Sequence, residues 1–95
     1  MEIKKLEIAR KKVDQIDKKL FYLIKKRTSV VKKMLALKKF KKQIIDKKRI
    51  NEILKKIKKQ SIKNDIDPKI TKRIWKSMIW SYVDFQRRNF KNKKK

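Results

Sequence analysis

The sequence predicts an all-α fold of three helices, one of them very long, in a chain that needs a second copy to cover its apolar surface. Three observations carry this. The 95 residues contain no glycine and one proline, Pro68, whereas sheets and tight hairpins depend on glycine-containing turns. Apolar residues recur along the first forty positions with a helical period. Two later segments open on helix-start signals, at Asp46 and at Asp67-Pro68.

The first helix is expected from about Ile3 to about Phe40. In heptads, position a is Leu6, Val13, Leu20, Arg27 and Met34, and position d is Ala9, Ile16, Leu23, Val30 and Leu37. Nine of these ten are apolar, and no Gly or Pro breaks the run. Position e, beside the stripe, carries Arg10, Asp17, Ile24, Val31 and Lys38. A helix of about 38 residues is roughly 57 Å long, while a compact domain of this size has a radius of gyration near 13 Å, roughly. Such a helix overhangs its own domain, and the stripe continues along the overhang. A second copy covers it most simply, giving an intertwined two-fold homodimer.

Residues 41–45 show no helical stripe and read as a connector. Asp46 caps a second helix that places Ile50, Ile53, Leu54 and Ile57 on one face and ends near Ser61. Lys63 to Ile66 is a loop. Asp67 and Pro68 then start a third helix that runs to about Phe90 and carries the stripe Trp75, Ile79, Tyr82 and Gln86. Residues 1–90 thus form one helical domain, and the basic tail 91–95 reads as disordered.

Composition removes whole classes of chemistry. With no cysteine or histidine, there are no disulfides, thiolate nucleophiles, His-based triads or ordinary zinc sites. No secretory signal is visible at the N-terminus and no apolar run is long enough for a membrane span, so a cytoplasmic location is expected. The net charge of +25 points on its face to nucleic acid or an anionic surface. Codon composition offers a plainer account. Six of the 34 basic residues are arginine and the other 28 lysine, and Lys, Ile and Asn all have A/T-rich codons. A chain drifting towards lysine has a reason wherever it keeps arginine, because only the guanidinium fork binds a carboxylate bidentately.

Arg27 is the sharpest single signal, the one charged residue among the ten a and d positions. A buried guanidinium needs an anion. That anion is either a ligand or a structural partner such as Asp17. Arg10 and Lys38 border the same stripe, where solvated basic residues are also common. Gln86 extends the apolar stripe of the third helix, Tyr82 suits an amphipathic core position, and Asp46 with Arg49 reads as a cap and a surface charge.

Together these residues resemble a known family. Residues 9–20, with Arg10 before Val13-Asp14-Gln15-Ile16-Asp17, look like the opening of the all-helical (type II) chorismate mutases. Arg27 follows Arg10 by seventeen residues and Lys38 follows Arg27 by eleven, which is the family spacing. Asp46-Lys47-Lys48-Arg49 resembles the start of the family's second helix, and residues 74–79 with Gln86 its third. The resemblance covers about residues 3 to 90. It implies an interlocked dimer of three-helix chains and a small-molecule dicarboxylate substrate. By it, Arg10 reaches the other subunit's pocket to bind one carboxylate, and Arg27 binds the second within its own subunit. Lys38 and Gln86 donate to the ether oxygen. Arg49 and Asp46 organise the ring-side contacts.

Conversion of chorismate to prephenate, a step of aromatic amino-acid biosynthesis, is pericyclic. It needs no nucleophile, metal or cofactor, so the missing His and Cys do no harm. One departure concerns the substrate. The best-known mutases carry a Glu after the second-helix Arg, where this chain has Ile50. Ile50, together with Tyr82 in the third helix, looks more like the isochorismate pyruvate lyases of the same fold, which form salicylate. Mutase activity is the first expectation and lyase activity the alternative. A basic helical nucleic-acid-binding protein is the rival of another class. Arg27 on an apolar stripe speaks against it, because a phosphate-binding surface would not need a cation there.

Overall fold

The computed structural model describes residues 2–91. Its regular elements are all helical: α1, Glu2–Leu37; a short 3-10 turn, Lys41–Gln43; α2, Lys47–Lys63; and α3, Pro68–Asn89. Contacts divide the chain into two compact units, Met1–Lys33 and Met34–Lys95. No helix among the described residues is long and apolar enough to cross a membrane. The expected disordered tail falls, apart from Lys91, outside the described residues.

The first unit is the body of α1. This helix is unbroken because lysine and leucine, both good helix formers, are its commonest residues and neither Gly nor Pro occurs. The Thr28 hydroxyl donates to the Ile24 carbonyl at 2.8 Å, a local bond that satisfies the hydroxyl within the helix. The apolar stripe forms, but one chain does not bury it: Leu6, Val13, Ile16, Leu20, Leu23 and Val30 are all exposed, Leu20 at 50% and Leu23 at 57%.

α1 ends at Leu37, three residues before the expected Phe40. Lys38 is therefore not a helical residue on the edge of the stripe, as its heptad position suggested. It lies just beyond the helix. Its N–H donates to the Leu35 carbonyl at 3.1 Å, closing a tight last turn. The next two N–H groups, of Lys39 and Phe40, both donate to the Gln43 side-chain carbonyl at 2.8 Å. A side chain thus takes the donors that would have continued the helical ladder, and Phe40 turns to extended backbone (φ −123, ψ 140).

The second unit is built on α2 packed against α3. Asp46 caps α2, its Oδ1 accepting from the Arg49 N–H at 3.0 Å. α2 runs to Lys63, two residues past the expected end at Ser61. Asp65 makes the reversal with φ 58. In a chain without glycine, a short polar side chain is among the best alternatives for that left-handed conformation. Asp67 then caps α3, accepting from the Lys69 N–H at 2.9 Å, with Pro68 in the first helical turn.

The expected inward faces are observed. Ile50, Ile53, Leu54 and Ile57 of α2 are half-buried. On α3, Ile79 and Gln86 are buried, Trp75 and Tyr82 half-buried. Ile44 corrects the reading of 41–45 as a plain connector: it is 5% exposed and belongs to the core with Ile79 and Val83. Ser61 is more buried still, at 2%. Its hydroxyl donates to the Ile57 carbonyl at 2.7 Å and lies 2.6 Å from the Thr71 hydroxyl, whose one proton is shared between the Ser61 oxygen and the Pro68 carbonyl, 3.3 Å away. This chain of oxygens fixes α2 against α3 near their connecting loop.

Ser61→Ala removes the cross-helix link and leaves Thr71 with its Pro68 partner. The expected loss is about 1 kcal/mol, read as a lower urea midpoint with an unchanged slope. An unchanged midpoint would show that the hydroxyl pair contributes nothing to stability.

Candidate active site

The second unit brings four of the sequence-predicted residues into one hydrogen-bonded or electrostatically linked group. Lys38 stands just past α1, and its Nζ donates to the Gln86 Oε1 at 2.7 Å. Gln86 is 7% exposed, and its Nε2 donates to the Tyr82 carbonyl, one turn earlier on α3, at 3.2 Å. The amide is held at both ends, which fixes its orientation. Asp46, the cap of α2, supplies a negative charge close enough to act on Lys38.

The electrostatics of Lys38 follow from this placement. Partial burial strips water from the ammonium and pushes its pKa below the usual 10.5, while the Asp46 carboxylate pulls it back up. Burial prevails in the balance. An ammonium carries three donors, and one is committed to Gln86. The pair therefore presents a partly desolvated cation and an oriented amide, suited to stabilising negative charge that builds on an oxygen.

The other predicted residues stand differently. Arg49 contributes its backbone N–H to the Asp46 cap, and its side chain is exposed. Ile50 is half-buried in the first turn of α2, its N–H donating to the Asp46 carbonyl at 2.9 Å. Arg10 and Arg27 belong to the first unit, where Arg10 is exposed and Arg27 half-buried. Seventeen residues of continuous helix separate them, about 26 Å along the axis.

Two residues that matter here escaped the sequence reading. Gln43 holds the backbone of Lys39 and Phe40 and so sets where Lys38 sits. Its signal was a glutamine three residues after a helix-start position, the second half of a capping box, hidden because Phe40 cannot supply the first half. Ile44 anchors the same segment in the core but lies outside any helical period.

The sequence pattern of the family described as chorismate mutase type II matches residues 9–87. The chain belongs to the chorismate mutase type II family. The match takes in every candidate from Arg10 to Gln86. No curated protein and no solved structure shows a significant match to the chain.

The influence of Asp46 on Lys38 is directly measurable. Asn caps a helix as well as Asp, so Asp46→Asn keeps α2 intact while deleting the charge. Lysine-selective NMR titration should find Lys38 deprotonating below 10.5 in the wild type, and lower still in Asp46→Asn. Equal midpoints in the two proteins would remove Asp46 from the electrostatics of the site.

Proposed function

We propose that the protein catalyses the rearrangement of chorismate to prephenate. The observation that carries this is the 2.7 Å contact between Lys38 and the buried Gln86 in a chain of the chorismate mutase type II family. As the ether carbon–oxygen bond breaks, negative charge grows on the oxygen. Lys38 and Gln86 then donate to it more strongly than to the ground-state ether. The remaining N–H groups of the ammonium and the outer hydrogen of the Gln86 amide are the donors for that step. Arg27 binds one substrate carboxylate with its planar fork, holding the side chain over the ring in a reactive geometry. The net charge of +25 speeds capture of a dianion.

Arg10 binds the second carboxylate from the other subunit of a homodimer. Two features support this. Arg10 and Arg27 stand about 26 Å apart on one helix, too far for one chain to close both on a small dicarboxylate. The exposed stripe of α1 also needs cover, since a contiguous apolar surface of this extent marks an interaction site. Arg49 and Asp46 shape the ring side of the pocket.

Ile50 favours a second reading, isochorismate pyruvate lyase. A Glu here would accept a hydrogen bond from the chorismate hydroxyl, and an isoleucine cannot. The missing contact costs about 1–3 kcal/mol unless another acceptor replaces it. Both reactions break an ether bond of the same type, so Lys38 and Gln86 serve either.

Feeding purified protein each substrate separately, without added metal or cofactor, decides between them. Prephenate from chorismate, at a higher kcat/KM than salicylate from isochorismate, is expected. The reverse preference would make the protein a lyase, and no turnover of either by a folded dimer would reject the enzymatic reading. The dimer has its own test: sedimentation equilibrium at micromolar concentration should give twice 11.7 kDa. A stable, folded monomer would overturn the shared pocket.

A further inference from the structure

The six arginines of this lysine-rich chain divide evenly. Arg10, Arg27 and Arg49 have roles under the proposed reaction. Arg73, Arg87 and Arg88 all lie on α3 with exposed side chains. Codon drift towards lysine explains a high positive charge, but it does not explain arginines kept on a solvent-facing surface. Arg88 is engaged by Asp84 one turn away, at 3.3 Å. Arg73 and Arg87 flank Trp80 at seven residues on either side. Seven residues differ from two full helical turns by only about 20°, so all three side chains occupy one face.

That face is the outer one. Ile79, Val83 and Gln86 point α3 into the core, whereas Trp80 is 46% exposed. Lys76, four residues before Trp80, and Lys69, eleven before it, fall in the same stripe by register, as does Asp84, four after it, whose carboxylate faces the Arg88 guanidinium. A shallow groove lined by Lys69, Ile70, Lys72, Arg73 and Lys76 runs along its beginning. The stripe spans about 21 Å from Arg73 to Arg87, far longer than a single small anion.

We propose that this outer face of α3 binds single-stranded nucleic acid, with a base stacked on Trp80 and backbone phosphates held by Arg73, Arg87 and the adjoining lysines. The chemistry fits part by part. Guanidinium forks suit phosphate oxygens. An exposed aromatic ring in a basic track is the stacking platform of single-strand binding. A duplex keeps its base faces stacked and offers Trp80 nothing. A membrane surface favours a broad apolar face beside the basic one, whereas here only Ile70 joins Trp80 among the basic side chains of the groove and stripe.

The test must separate this site from the general attraction of a +25 protein for polyanions. The full-length protein is titrated against a fluorescein-labelled 12-nucleotide mixed-sequence single-stranded DNA at about 150 mM salt, followed by anisotropy, with circular dichroism confirming the fold of each variant. Trp80→Leu preserves charge and apolar bulk but removes the flat ring; it should weaken binding about tenfold. Trp80→Phe, which keeps a ring, should stay within about threefold of wild type. Lys55→Gln/Lys58→Gln, removing two charges from α2, should cost less than Trp80→Leu. The same sequence as a duplex should bind more weakly than the single strand. Wild-type affinity in Trp80→Leu, equal affinity for the duplex, or a larger loss in the lysine variant would overturn the proposal. So would Trp80-dependent binding to anionic phospholipid vesicles without binding to the oligonucleotide.

Discussion

The hydrogen bond from Lys38 to Gln86 joins residues 48 positions apart, and the candidate active site depends on it. Both partners start from unfavourable positions. A lysine loses hydration where it is partly buried, and a buried amide must find partners for its oxygen and its nitrogen. Each answers the other's need: the amide oxygen receives the ammonium, and the amide nitrogen turns to the Tyr82 carbonyl. Asp46 offsets part of the desolvation of Lys38 from a third direction. What results is a cation whose charge is retained but weakly solvated, a suitable state for meeting negative charge developed during a reaction.

The position of Lys38 rests on where α1 stops. The heptad pattern alone carries the helix past Lys38, because nothing between Leu37 and Phe40 disfavours it locally. Gln43 decides the matter by accepting the Lys39 and Phe40 N–H groups. Ile44 holds the same segment by inserting into the core. Two residues to which the proposed reaction gives no chemical role thus set the position of one to which it does.

The charge distribution separates into two parts. Lysines are spread along every helix, as compositional drift would leave them, and most contribute only to a diffuse positive field. The arginines are few and placed. Three belong to the proposed pocket and three are exposed on α3, where Trp80 is the exposed ring between Arg73 and Arg87. Both proposals draw on the same property, bidentate binding of oxyanions, by Arg27 towards a small dicarboxylate and by Arg73 and Arg87 towards a phosphate backbone.

The sequence by itself determined what depends on neighbours along the chain. Absent glycine and the apolar period made the fold helical. Asp46 and Asp67-Pro68 located the starts of α2 and α3 correctly, because a cap is a bond between residues two or three apart. The ordered spacing from Arg10 to Gln86 was enough to indicate the family. Tertiary structure decided what depends on residues distant in sequence: the meeting of Lys38 with Gln86, the Ser61–Thr71 link between α2 and α3, and the burial of Ile44. It also separated the two kinds of apolar stripe. Those of α2 and α3 cover one another within the second unit, whereas the stripe of α1 stays exposed in a single chain. Periodicity says that a helix has an apolar face, but only packing says what that face meets.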